Sequence, residues 1–130
     1  MADSYLGRIS LAARSDLGHS QLVHVRNYAL ARQDDRYHTQ AYRYGFLMGG
    51  GPGGGGWLRF DHQSGKVDVF NPGPDSSVSE MCFVPRRTGA AEGDGYLVGM
   101  CTRAKENGRS DLLVVDTQHM AEGPVATVKL

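Results

Sequence analysis

The sequence has no block of like charge, no long apolar run and almost no cysteine, and each absence removes a class of function. Basic and acidic side chains balance at 14 each over 130 residues. Neither sign is segregated, so the electrostatic footprint for nucleic acid or an anionic membrane is missing. No stretch approaches the ~20 apolar residues of a transmembrane segment. The start, Met1-Ala2-Asp3-Ser4-Tyr5-Leu6, lacks the basic-then-apolar order of a secretory signal. The expected compartment is therefore the cytoplasm. Two cysteines, Cys82 and Cys101, build no disulfide framework, and their spacing matches no zinc knuckle. Both fall in expected strands, where a free thiol behaves as a small buried hydrophobe. The five histidines, His19, His24, His38, His62 and His119, form no His-x-His or His-Glu-x-x-His pattern. His62 and His119 each follow a strand-end aspartate, and all five are expected at the surface.

Glycine, by contrast, is abundant at 18 residues, many of them in the run Gly49 to Gly56, interrupted only by Pro52. The run lacks the Lys-Ser/Thr that closes a phosphate-binding loop, and Trp57-Leu58-Arg59-Phe60 after it reads as a strand rather than a helix. A flexible connection between two strands is the expectation. Ahead of it, Met1 to about Arg36 shows little periodicity. Leu6 to Ala13 could supply a helical turn or two and Leu22-Val23-His24-Val25 a short strand.

From Tyr37 onward the texture is short apolar strands separated by turn residues. Strands are expected at Tyr42–Met48, Trp57–Asp61, Val67–Phe70, Met81–Val84, Tyr96–Cys101, Leu112–Asp116 and Val125–Val128, with Asn107-Gly108 as a turn signal. The class is all-β. Leu58-Arg59-Phe60-Asp61, a loop, Gly65 and Val67-Asp68-Val69 recur as Leu113-Val114-Val115-Asp116, a loop, Gly123 and Val125-Ala126-Thr127-Val128. An apolar strand ending in Asp, a turn and an outer strand reads as the outer half of a propeller blade, with the Asp capping its turn through nearby N–H groups. A propeller takes at least four blades, and the chain supplies about two, which leaves apolar faces to be covered.

Glu80 is the residue that most needs an explanation, because a carboxylate in an apolar strand is costly unless paired. Alternation places Glu80, Cys82 and Val84 on one face of the strand and Met81 and Phe83 on the other. The simple reading is an exposed strand-end carboxylate beside Ser79, paired with Arg86 or Arg87.

Three ordered motifs add a second reading. They are Ser79-Glu80-Met81-Cys82-Phe83-Val84-Pro85-Arg86, Ala91-Glu92-Gly93-Asp94-Gly95-Tyr96-Leu97 and Ser110-Asp111-Leu112-Leu113-Val114-Val115-Asp116. With Tyr42-Arg43-Tyr44-Gly45 before them and Glu122-Gly123-Pro124-Val125-Ala126 after, they resemble the C-terminal part of the carotenoid cleavage oxygenases, which include the lignostilbene dioxygenases. The likeness runs from about residue 34 to 130, and Met81 stands where the family usually has proline.

The resemblance implies a seven-bladed propeller holding one iron(II) through four histidines, with glutamates accepting the second ring N–H of some of them. By that implication Glu80 orients an iron-bound histidine, fixing its tautomer and raising its basicity. The chain ends at Val128-Lys129-Leu130, short of the family's Gly-x-His-Gly segment, and the other ligand histidines lie upstream of the matched region. No metal ligand is assigned here. Where the family often has a second orienting glutamate, this sequence has Ala29. Residues 1–33 are read as a divergent or weakly structured segment, and 34–130 as about two blades of a carotenoid oxygenase-like domain.

The implied activity is iron(II)-dependent, dioxygen-consuming cleavage of a conjugated carbon–carbon double bond in a carotenoid, an apocarotenoid or a phenolic stilbene-like substrate. The chain alone, lacking the ligands, is expected to be inactive and to bind no iron(II). The alternative is a non-catalytic propeller remnant acting as a binding or oligomerisation module, self-associating through uncovered blade faces. A free-standing small β-sandwich is the third reading, and it leaves the three motifs as coincidence.

Overall fold

The computed structural model describes residues 28–49 and 56–130. The helical turns expected near Leu6–Ala13, the strand expected at Leu22–Val25 and the interior of the glycine run lie outside these residues.

The described chain is all-β, in two four-stranded antiparallel sheets each ordered as a simple meander. The first sheet holds β1 (Tyr28–Gln33), β2 (Tyr44–Gly49), β3 (Gly56–Asp61) and β4 (Val67–Phe70). The second holds β5 (Ser76–Pro85), β6 (Gly95–Arg103), β7 (Arg109–Asp116) and β8 (Pro124–Lys129). Each sheet is thus the kind of four-stranded unit from which propellers are assembled. The sequence repeat maps onto the third and fourth strands of the two sheets, β3–β4 and β7–β8.

Why these segments become strands is visible in β6. Gly95, Leu97, Gly99 and Cys101 turn inward and are buried, while Tyr96, Val98 and Met100 point to the other face and are half-buried. Gly99 is required: a Cβ there would lie 2.6 Å from the Trp57 ring and from the Glu80 carbonyl. The glycine run joins β2 to β3 as an antiparallel pair closed by Gly49 opposite Gly56. A Cβ on Gly56 would sit 2.1 Å from the Phe70 carbonyl oxygen.

One core cluster is shared by both sheets. Phe46, Trp57 and Phe70 of the first pack with Met81, Leu97 and Leu113 of the second, and the Phe46 and Phe83 rings stack at 5.2 Å. A smaller cluster of Leu47, Leu58 and Phe60 lies on the opposite face of the first sheet. Of the two cysteines, Cys101 is buried in the shared core as expected, but Cys82 is exposed. It lies on the face of β5 that turns away from that core.

Polar contacts reinforce the joint between sheets. Glu92 Oε1 in the acidic turn before β6 accepts from the N–H groups of Arg43 (2.6 Å) and Tyr44 (3.1 Å), capping the start of β2. Gly93 has φ +71 and a Cβ there would stand 2.5 Å from the Tyr44 ring, so the turn both needs the left-handed region and leaves no room for a side chain. Arg36 pairs with buried Asp34 (2.6 Å) and donates to the Ala90 carbonyl (2.9 Å).

β1 has no counterpart among the expected strands. It ends at residue 33, where the divergent segment was expected to end, and hydrogen-bonds along β2 as part of the first sheet.

Candidate functional site

Glu80 lies in an irregularity of β5. The β5–β6 ladder pairs Val78 with Cys101 and Met81 with Gly99, so two residues, Ser79 and Glu80, face one, Met100. This is a β-bulge, a device that re-aims side chains and recurs next to active sites. Its polar groups find local partners. The Met100 N–H donates to Ser79 Oγ (3.3 Å), and the Ser79 carbonyl accepts from Trp57 Nε1 (2.9 Å) across the sheet–sheet joint. The bulge is therefore clamped from both sides, by the hydroxyl of its own serine and by the indole of the first sheet.

The Glu80 side chain is exposed, and Arg32 Nη2 from β1 donates to its Oε2 at 2.8 Å. The partner is thus neither Arg86 nor Arg87. Arg86 is committed elsewhere, to Asp94 (2.8 Å), Asp116 (2.7 Å) and the Tyr96 hydroxyl (2.9 Å). From Met81 onward the alternation read in the sequence holds, with Met81 buried, Phe83 packed against the core, and Cys82 and Val84 exposed; the bulge breaks it at Glu80.

The strand-end aspartates of the repeat do cap their turns. Asp61 Oδ1 accepts from the Gln63 N–H and Asp116 Oδ1 from the Gln118 N–H, each at 2.9 Å. Each also takes an arginine that lies over a tyrosine. Arg43 pairs with Asp61 at 2.8 Å and sits 4.9 Å from the Tyr44 ring centre, while Arg86 pairs with Asp116 at 2.7 Å and sits 4.9 Å from the Tyr96 ring centre. The bond from Arg43 holds the Asp61 carboxyl well below the usual carboxylate range. In these trios the arginines tie the capped turns to the strands beside them.

The histidines divide. His38 and His119 are exposed, with His119 Nδ1 at 3.2 Å from Glu122 Oε1. His62 departs from expectation: it is half-buried, edge-on to the rings of Tyr42 (5.2 Å) and Phe60 (4.8 Å), and burial lowers its pKa. His19 and His24 lie outside the described residues. Among the described residues, no group of three or more His, Cys, Asp or Glu side chains could hold a metal ion.

Comparison with known proteins gives this geometry its context. The sequence pattern of the family described as RPE65, retinal pigment epithelial membrane protein, matches residues 2–130. The chain belongs to the RPE65/carotenoid oxygenase family. Isoeugenol monooxygenase from Pseudomonas nitroreducens is 49% identical over 71 residues, which cover 55% of this chain and 15% of that protein. Lignostilbene-alpha,beta-dioxygenase isozyme III from Sphingomonas paucimobilis is 37% identical over 116 residues, covering 76% of this chain and 23% of the relative. The crystal structure of Pseudomonas brassicacearum lignostilbene dioxygenase superposes with a TM-score of 0.73 at 28% identity, over 79% of this chain and 24% of that one.

The chain therefore spans about a quarter or less of the length of these relatives. Arg32, Trp57 and Glu92 are the residues of the Glu80 region and its joint that sequence reasoning missed. Only Glu92 carried a signal, through its place in the acidic turn motif.

Proposed function

We propose that the chain is part of an iron(II)-dependent dioxygenase that cleaves a conjugated carbon–carbon double bond, with β5 as the strand that faces the metal site. The observation that carries this reading is Glu80, a carboxylate displayed on a clamped bulge of the first strand of its sheet, in a chain whose family match runs from residue 2 to 130. Of the possible substrate classes, a phenolic stilbene-like or propenyl compound is favoured over a carotenoid, because the two relatives described above are named for isoeugenol and lignostilbene.

The described residues fit one role toward iron(II) and not another. No cluster among them can ligate the ion. Glu80 can orient a ligand, since a carboxylate offers about four lone-pair sites and a single arginine N–H occupies one of them. Bound iron(II) supplies activation of dioxygen at the double bond. Glu80 accepts the outer N–H of a ligating imidazole, fixing its tautomer and making the inner nitrogen a better donor. The bulge, held by Ser79 and Trp57, fixes the backbone from which Glu80 projects, and the shared core keeps that strand from shifting. Residues 28–130 by themselves are then inactive, because the ligands come from elsewhere.

The test is to graft residues 28–130 in place of the matching segment of Pseudomonas brassicacearum lignostilbene dioxygenase, then to follow dioxygen uptake with a phenolic stilbene. The chimera should consume oxygen and the separate chain should not. A folded, iron-loaded chimera that consumes none, or turnover by the separate chain, would overturn the reading.

A non-catalytic binding or oligomerisation role is supported by one observation. The face of the second sheet away from the core carries Cys82 and Ala126 exposed, with Val84 at 43% and Val128 at 50%.

A further inference from the structure

The two sheets can be compared position by position through their registers. Tyr44 opposite Asp61 in the first corresponds to Tyr96 opposite Asp116 in the second. Following the ladders outward, Ala31 opposite Leu47 corresponds to Met81 opposite Gly99, and Tyr28 opposite Gly49 corresponds to Val78 opposite Cys101. The pair Ala29–Leu30 therefore occupies the place of Ser79–Glu80, and both first strands are irregular at that place. The second sheet carries a carboxylate there and the first does not. What the first sheet supplies instead is a guanidinium: Arg32, at the position equivalent to Cys82, reaches across to Glu80 Oε2 at 2.8 Å.

We propose that Arg32 is a positioning residue for Glu80, an inference that rests on the reading of Glu80 as the acceptor of an imidazole N–H. An unpaired glutamate at an exposed strand position samples several rotamers, and each one that turns away from the histidine weakens its hold. Arg32 draws one carboxylate oxygen toward β1 and leaves acceptor capacity on the group for the histidine. Arg32 does this with one N–H, and a lysine ammonium on its flexible stem could supply a single donor less well placed. The two side chains are 45% and 55% exposed, so the pair adds little to stability and its loss leaves the fold in place. Its effect falls on geometry rather than on folding.

Two measurements test this. In the chain itself, NMR couplings that report the χ1 angle of Glu80 should show one dominant rotamer, averaged in Arg32→Gln and partly restored in Arg32→Lys. In the oxygenase chimera loaded with cobalt(II), a spectroscopic stand-in for iron(II), Arg32→Gln should alter the visible absorption bands and weaken cobalt affinity about tenfold, the lower end of the range for partners of metal-bound histidines. Arg32→Lys should recover part of that loss.

Rotamer averaging already present in the unmodified chain would overturn the proposal. So would a cobalt spectrum and affinity indifferent to Arg32→Gln while Glu80→Gln weakens both, a result that keeps Glu80 in its role. Indifference to Glu80→Gln as well would overturn the role of Glu80 and the proposal with it.

Discussion

Trp57 belongs at once to the shared core and to the bulge that displays Glu80. Its ring is fully buried in the shared core, yet its indole N–H is spent on the carbonyl of Ser79, inside the bulge that displays Glu80. Trp57→Phe keeps most of the apolar contact and strands that carbonyl, which should cost about 1–3 kcal/mol. Urea denaturation reads the loss, and an unchanged midpoint would show that the bond contributes nothing. Gly93 offers a sharper comparison. Alanine at Gly93 meets both the left-handed backbone and the Tyr44 ring, whereas alanine at Gly89 meets the same backbone (φ +75) with nothing within 4 Å. Gly89→Ala should therefore cost about 1–2 kcal/mol, and Gly93→Ala clearly more, with thermal unfolding of the two variants as the check. Equal losses would mean that Tyr44 yields without cost.

Among the elements, the turns that end β3 and β7 depend on ionised aspartates. The folded Asp61 carboxyl titrates below its unfolded value of about 3.9. A depressed folded pKa contributes stability that is fully present above the unfolded pKa and is lost as pH falls through the folded one. Stability should hold at neutral pH and decline below about pH 4, and Asp61→Asn should flatten part of that decline. Acid denaturation followed by circular dichroism measures it, and an identical acid slope in the variant would contradict the role of the Arg43 pair.

These elements also show what the sequence could and could not disclose. The strand Val67–Phe70 lies where its alternating apolar residues put it, and the aspartate caps follow from local turn chemistry. β1 was not legible, because Tyr-Ala-Leu-Ala-Arg-Gln has no two-residue alternation and becomes a strand only by pairing with β2. Partners distant in sequence were equally hidden. Glu92 reaches the N–H of Arg43, 49 residues away, and Arg32 reaches Glu80 across 48. The motif around Glu80 pointed to the residue, but the bulge that aims it depends on a ladder shift no spacing rule reveals. His62 was misplaced for a similar reason: Tyr42 and Phe60 enclose it only once β2 and β3 pair.

On the scale of the whole molecule, the two sheets stack by a step that could be repeated. The face of the first sheet that meets the second includes Tyr44, Phe46 and Trp57. By register, the equivalent positions in the second sheet are Tyr96, Val98 and Leu112, on the half-buried outer face. That face has the composition of a surface built to receive another sheet, in keeping with a chain spanning about a quarter or less of its relatives. Expressed alone, the chain should self-associate through it, and Val98→Glu should lower the mass seen by light scattering. A monomeric parent chain at high concentration would contradict this. No helix among the described residues is long and apolar enough to cross a membrane.

If Glu80 orients a histidine bound to iron(II), the affinity for the metal depends on its carboxylate. In the oxygenase chimera, Glu80→Gln should weaken iron(II) binding by about 10–100-fold while the melting temperature stays near that of the unmodified chimera. Unchanged iron(II) affinity in a folded Glu80→Gln chimera would remove Glu80 from that role.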